Sequence, residues 1–158
     1  MEQRDNSAFL ADLKEWNLEL NEQQIAQLEQ YYEMLIEKNK VMNLTAITEY
    51  EGVLKKHFLD SLALNQLVNL KGKKAKLLDM GTGAGFPGIP LKIVFPELEI
   101  TLMDSLNKRI VFLQEVISEL GLTGITAVHG RAEEAALKPE YGKNLIFVFQ
   151  ERLPDWFH

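Results

Sequence analysis

The chain contains no cysteine, which excludes a disulfide framework, a thiolate metal site and a cysteine nucleophile. No apolar run approaches the ~18 residues that a membrane-spanning helix needs. The opening MEQRDNSAFL carries Glu2, Arg4 and Asp5 where a signal peptide would place its apolar core. Repeats and low-complexity tracts are missing too. These absences predict a cytoplasmic protein of a reducing compartment, with no metal and no membrane association.

What is present is 158 residues, 46% hydrophobic and 25% charged, the profile of one globular chain long enough to bury a core. The 17 Lys+Arg and 23 Asp+Glu give a formal charge of −6. The imbalance is local. Residues 1–34 hold eight acids and two bases, so the remaining chain balances at 15 against 15. Bases cluster there at Lys38/Lys40, Lys55/Lys56, Lys71/Lys73/Lys74/Lys76 and Lys108/Arg109. An acidic total therefore leaves room for a local basic face.

Residues 1–70 read as a helical unit. Ser7 to Trp16 suits a short helix, and Asn21 is placed to cap EQQIAQLEQYYEMLIEKNK, in which Ile25, Leu28, Tyr32, Leu35 and Ile36 form one apolar stripe. After a break at Asn43–Thr45, with Thr45 or Thr48 available as a cap, EYEGVLKKHFLDSLALNQLV reads as one amphipathic helix through Val53, Leu54, Phe58, Ser61 and Leu62. Tyr31 and Tyr32 are expected in the core.

From Lys71 the period changes. KGKKAK is a polar hinge. AKLLDM, LEITLMD and GITAVHG read as strands, separated by helices over about 88–94 and 106–120 that stop at Phe95-Pro96 and Gly121. Strand, loop, helix, strand, helix, strand predicts a parallel α/β sheet.

The chemistry lies in LLDMGTGAGFPGIP. A strand ends at Asp79, and Gly81, Gly83 and Gly85 follow at alternate positions before a helix. Glycines admit positive φ and let a ligand approach the backbone closely. In an open α/β sheet such a loop lies at the carboxyl edge, where ligands bind. Asp104 closes the next strand, 19 residues beyond Gly85, placed to accept hydrogen bonds from two ribose hydroxyls. The pattern points to an adenosine-containing cofactor.

Two cofactors compete. Gly83-Ala84-Gly85-Phe86-Pro87-Gly88 matches G-x-G-x-x-G, so an NAD(P)-binding oxidoreductase fragment using Gly83, Gly85, Gly88 and Asp104 stays open. Against it, Asp79 stands just before the glycines, and Pro87 and Pro90 remove amides that would hold a pyrophosphate. S-adenosyl-L-methionine, cationic and without phosphate, suits an acidic loop better. A non-catalytic RNA-binding module is the third reading.

The segments YYEMLIEKN, MNLTAIT, KKHFLDSLAL, LLDMGTGAGFPGIPLKI, TLMDSLNKRIVFL and HGRAEE make the chain resemble the small-subunit (16S) ribosomal RNA guanine-N7 methyltransferases, also called the glucose-inhibited division protein B family. The likeness runs from about Leu20 to Tyr141. It implies a Rossmann-like methyltransferase fold lacking its C-terminal strands behind an N-terminal helical unit, and N7-methylation of a guanine in 16S rRNA of the small ribosomal subunit. It also implies that Gly81, Gly83 and Phe86 line the cofactor pocket, that Asp104 takes the ribose, and that the backbone at Ala132 and Glu133 meets the adenine. Arg131 would orient that loop by pairing with an acid, and His129 would be a strand-end structural residue. His57, Asp60 and Ser61 would tie the helical unit to the glycine loop. Guanine N7 offers its lone pair without deprotonation, so no catalytic base is expected and none is assigned.

The likeness divides the chain into a helical unit (1–70), an incomplete methyltransferase part (71–143) and a tail (144–158). Family members continue after HGRAEE with a strand like FDIV and a segment like SRAVARL, whereas this chain reads NLIFVFQERLPDWFH. Permitted codons for Asn144–Phe157, read from their third nucleotide, give FDIRFSRAVARLV. The expectation is a frame change after about Lys143, a cofactor strand left with an open edge, weak cofactor affinity and no methyl transfer by this chain as written. Leu145–Phe149 could act as a substitute strand.

Overall fold

The computed structural model of the chain describes residues 4–131 and 145–149. Two helices open it, α1 (Ser7–Glu15) and α2 (Glu22–Met42). Asn21 caps α2 through a reciprocal box. Its side chain accepts from the Gln24 amide at 2.8 Å, and the Gln24 side chain accepts from the Asn21 amide at 2.9 Å. Such a cap is worth about 1 kcal/mol. Asn43, in the left-handed region at φ 50°, ends the helix.

The segment expected to be one helix is broken. It runs α3 (Tyr50–Val53), a π-helical stretch (Leu54–Leu59), α4 (Asp60–Leu62) and α5 (Leu64–Leu67). A π-turn inserts one residue into the helical ladder, a feature that recurs at functional sites. It is capped by neither threonine: Glu49 precedes α3 and makes no side-chain cap.

Beyond the hinge come β1 (Lys76–Met80), α6 (Gly88–Val94), β2 (Glu99–Asp104), α7 (Asn107–Leu120), β3 (Ile125–His129) and β4 (Leu145–Phe149). All strand pairs are parallel and the sheet order is β3-β2-β1-β4. The expected open edge beside β1 is therefore not found. Leu77 aligns with Ile146 and Met80 with Phe149, so β4 supplies the missing neighbour. Register and pairing need only backbone groups and an apolar face, which Leu-Ile-Phe-Val-Phe provides.

One cluster of buried side chains runs from Phe9 to Ala127 and includes residues of both halves, among them Leu13, Tyr31, Leu35, Phe58, Leu77, Ile89 and Leu113. α2 is further tied to the sheet layer by Gln24, which donates to the Ile93 carbonyl at 3.0 Å, and by Gln27, which donates to the Leu120 carbonyl at 3.0 Å. Lys92 is buried, its ammonium on the Pro96 and Leu98 carbonyls, and burial lowers its pKa. Among the described residues no helix is long and apolar enough to cross a membrane.

Candidate cofactor loop

The loop from Asp79 to Gly88 is held by bonds from its amides to backbone carbonyls and to two aspartate side chains. The amides of Gly81 and Thr82 both donate to the Met103 carbonyl, at 2.9 and 3.1 Å. Those of Gly85 and Phe86 donate to the Thr82 carbonyl, at 2.9 and 3.2 Å. Gly83 N donates to Asp104 Oδ2 and Gly88 N to Asp79 Oδ2, each at 2.9 Å. A pyrophosphate needs free amides at a helix start, and here they are spent internally.

Asp79 works from beneath. It is fully buried, and its Oδ2 also accepts from Thr82 Oγ1 at 2.7 Å. Its Oδ1 is buried with no partner. Desolvation pushes the carboxyl from 3.8 up to about 7, opposed by the Thr82 and Gly88 hydrogen bonds and assisted by the charge of Asp104. The sequence placed this acid against the ligand; the structure turns it into the protein, where it staples the turn.

The glycines divide by what surrounds them. A Cβ on Gly85 (φ 106°) would lie 2.7 Å from both Tyr31 Oη and Ile89 Cδ1, and one on Gly88 would run into Leu102. These two are glycine for packing. Gly83 (φ 59°) has nothing within 4 Å of its missing Cβ, and Gly81 (φ 71°) is exposed. Open space therefore lies at Gly81 and Gly83, where the sequence placed the ligand.

Asp104 stands beside that space. Its Oδ2 holds Gly83, its Oδ1 accepts from the Leu106 amide at 2.9 Å, and Arg109 Nη1 lies 3.4 Å from Oδ1. A carboxylate offers about four lone-pair sites, so acceptor capacity is left for ribose hydroxyls. The structure thus brings Gly81, Gly83 and Asp104 together. Phe86 is buried behind them in an aromatic cluster, its ring centroid 5.7 Å from Tyr31 and 6.0 Å from Phe58. Ala132 and Glu133 lie outside the described residues; Arg131, just before them, is exposed.

Two further contacts join the helical unit to the loop. Tyr31, expected only as core, donates from its hydroxyl to the Ala84 carbonyl at 2.6 Å. Nothing local in the sequence signals that bond. The His57 ring stacks on Phe86, with centroids 4.5 Å apart and planes 9° apart, and its Nε2 shares a 2.7 Å hydrogen bond with Thr45 Oγ1. Ser61 Oγ donates to the His57 carbonyl at 2.5 Å. His129 bonds the Ser105 carbonyl through Nε2 at 2.8 Å, at the end of β3. Among the described residues no group of three or more His, Asp or Glu side chains could hold a metal ion.

A parallel sheet with a glycine loop closing its first strand and an acid ending its second defines a Rossmann-like fold. Comparison with known proteins narrows it. The family model described as rRNA small subunit methyltransferase G (GidB) matches residues 24–147. Ribosomal RNA small subunit methyltransferase G of Lachnoclostridium phytofermentans is 59% identical over 145 residues, covering 92% of this chain and 60% of that protein. The same-named protein of Leuconostoc mesenteroides is 49% identical over 144 residues, 90% of this chain and 60% of that one. The chain belongs to this family, and it spans about 60% of the length of the curated relatives it matches. Among solved structures, MtNAS in complex with MTA and tNA superposes with a TM-score of 0.43 at 18% identity, over 65% of this chain and 37% of that one.

Proposed function

We propose that the chain is the cofactor-binding part of an enzyme that uses S-adenosyl-L-methionine to methylate N7 of a guanine in 16S rRNA of the small ribosomal subunit. The observation that carries this reading is the state of the loop amides. Gly81, Thr82, Gly83, Gly85, Phe86 and Gly88 all donate within the protein, while Gly83 opens onto free space beside Asp104. Such a loop suits a nucleoside cofactor without phosphates and disfavours a dinucleotide.

In this reading Gly81 and Gly83 let the cofactor lie against the backbone, and Asp104 accepts from the ribose hydroxyls. Phe86 backs the pocket, and the backbone at Ala132 and Glu133 takes the adenine. The bound cofactor supplies a methyl group on a sulfonium. Guanine N7 carries its lone pair unprotonated, so the chain's residues have only to hold two partners in line. The buried carboxylate of Asp104, beside the open space at Gly83, favours a ligand that brings positive charge.

Calorimetric titration with S-adenosylhomocysteine and with NADH tests it. Heat of binding from S-adenosylhomocysteine alone is expected; binding of NADH in preference would replace this reading with the oxidoreductase one.

A further inference from the structure

We propose that His57 is a stacking platform for an RNA base, presented by the helical unit beside the glycine loop. The ligand class rests on the rRNA reading above; the platform rests on geometry. Tyr31, Phe58, Phe86 and His57 form a series of rings whose burial falls toward the surface. Tyr31 and Phe58 are fully buried and stack on each other at 5.5 Å, Phe86 retains 7% exposure, and His57 is half-buried. Phe86 covers one face of the imidazole, and among the described residues no ring lies on the other.

The plane of this ring is fixed from two sides. Nε2 is tied to Thr45, and Thr45 is itself held, its amide donating to Asn39 Oδ1 at 2.8 Å and its Oγ1 accepting from the Ile47 amide at 3.0 Å. The π-helical backbone carries His57 with Lys55 and Lys56, both exposed and able to meet phosphate; Glu51 and Asp60 are the exposed acids on either side. Burial lowers the imidazole pKa, and the charge of Asp60 opposes that shift. Histidine is one of the side chains on which unpaired RNA bases stack, and a fixed ring loses little freedom on binding.

The test uses the full 158-residue chain and two fluorescein-labelled RNA hairpins, one with a single guanine in its loop and one abasic at that position. The wild-type chain should bind the guanine hairpin about tenfold more tightly, the size of one base–aromatic stack. His57→Ala and His57→Leu should erase that preference while leaving abasic affinity unchanged, and His57→Phe should keep it. The leucine fills the imidazole's space without its π face, which covers a failure of the alanine variant to fold. No preference in the wild type, a preference that survives His57→Leu, or an equal fall for both hairpins would each overturn the proposal. Parallel titration with S-adenosylhomocysteine keeps the two readings apart: an intact base preference without cofactor binding sinks the cofactor reading and leaves the platform standing.

Discussion

The phenol of Tyr31, in the middle of α2, donates a 2.6 Å hydrogen bond to the carbonyl of Ala84, at the apex of the glycine loop. Both groups are buried, so neither has water as an alternative partner. The loop's shape therefore depends on a helix that lies 53 residues earlier in the chain.

Tyr31→Phe keeps the ring stack on Phe58 but leaves the Ala84 carbonyl unpaired. A loss of about 1–3 kcal/mol in urea unfolding is expected, with weaker S-adenosylhomocysteine binding. An unchanged unfolding midpoint would show that the bond is dispensable.

Gly85 and Gly83 should respond differently to alanine. At Gly85 the new methyl meets Tyr31, Ile89 and Leu113 at 2.7 to 2.9 Å, and the strain plus overpacking should cost about 3 kcal/mol or more. At Gly83 the methyl enters open space. There the backbone cost is only about 1–2 kcal/mol, and the main loss should be in cofactor affinity. Denaturation and ligand titration on both variants separate the two; a Gly85→Ala protein as stable as the parent contradicts the packing assignment.

Asp79 gives the fold a pH signature. Its carboxyl titrates near 7 in the folded chain against 3.8 as the ordinary value. Between those values the folded state holds a proton that the unfolded state releases, so this group's contribution falls as pH rises, by up to about 1.4 kcal/mol per unit, and is level outside the window. Asp79→Asn removes that slope. Unfolding free energies of both proteins from pH 4 to 8 should converge at low pH and diverge toward 7; parallel curves would show that the carboxyl is not raised.

The tail carries a prediction for nucleic acid. The codons of Asn144–Phe157, read from their third nucleotide, should give FDIRFSRAVARLV or a close variant. The nucleotide sequence over these codons decides it, and any choice of codons incompatible with that text removes the frame-change reading.

Much of the α/β half was legible because its signals are local. Asp79 to Gly88 carries its own turn chemistry, Phe95-Pro96 ends α6 as expected, and Gly121 (φ 66°) ends α7. The π-turn was not legible. Val53, Leu54, Phe58 and Leu62 fit a regular helical stripe equally well, and the inserted residue leaves no mark on composition. The bonds of Tyr31 and the stack of His57 were hidden for a different reason: each pairs residues far apart in sequence, and a tyrosine read as core looks the same whether or not its hydroxyl has a partner. The inward turn of Asp79 was misread because a strand-end acid gives no sign of which side of the loop it serves.

The buried cluster that passes from Phe9 through Tyr31 and Phe58 to Leu113 and Ala127 does not stop at the hinge near Lys71. A change from helices to strands is thus no boundary of cooperativity. Heat or denaturant should melt the chain in one transition, and residues 71–158 made without the preceding helices would expose the apolar face that Tyr31 and Phe58 now cover. The helices are the inner wall of the loop they steady.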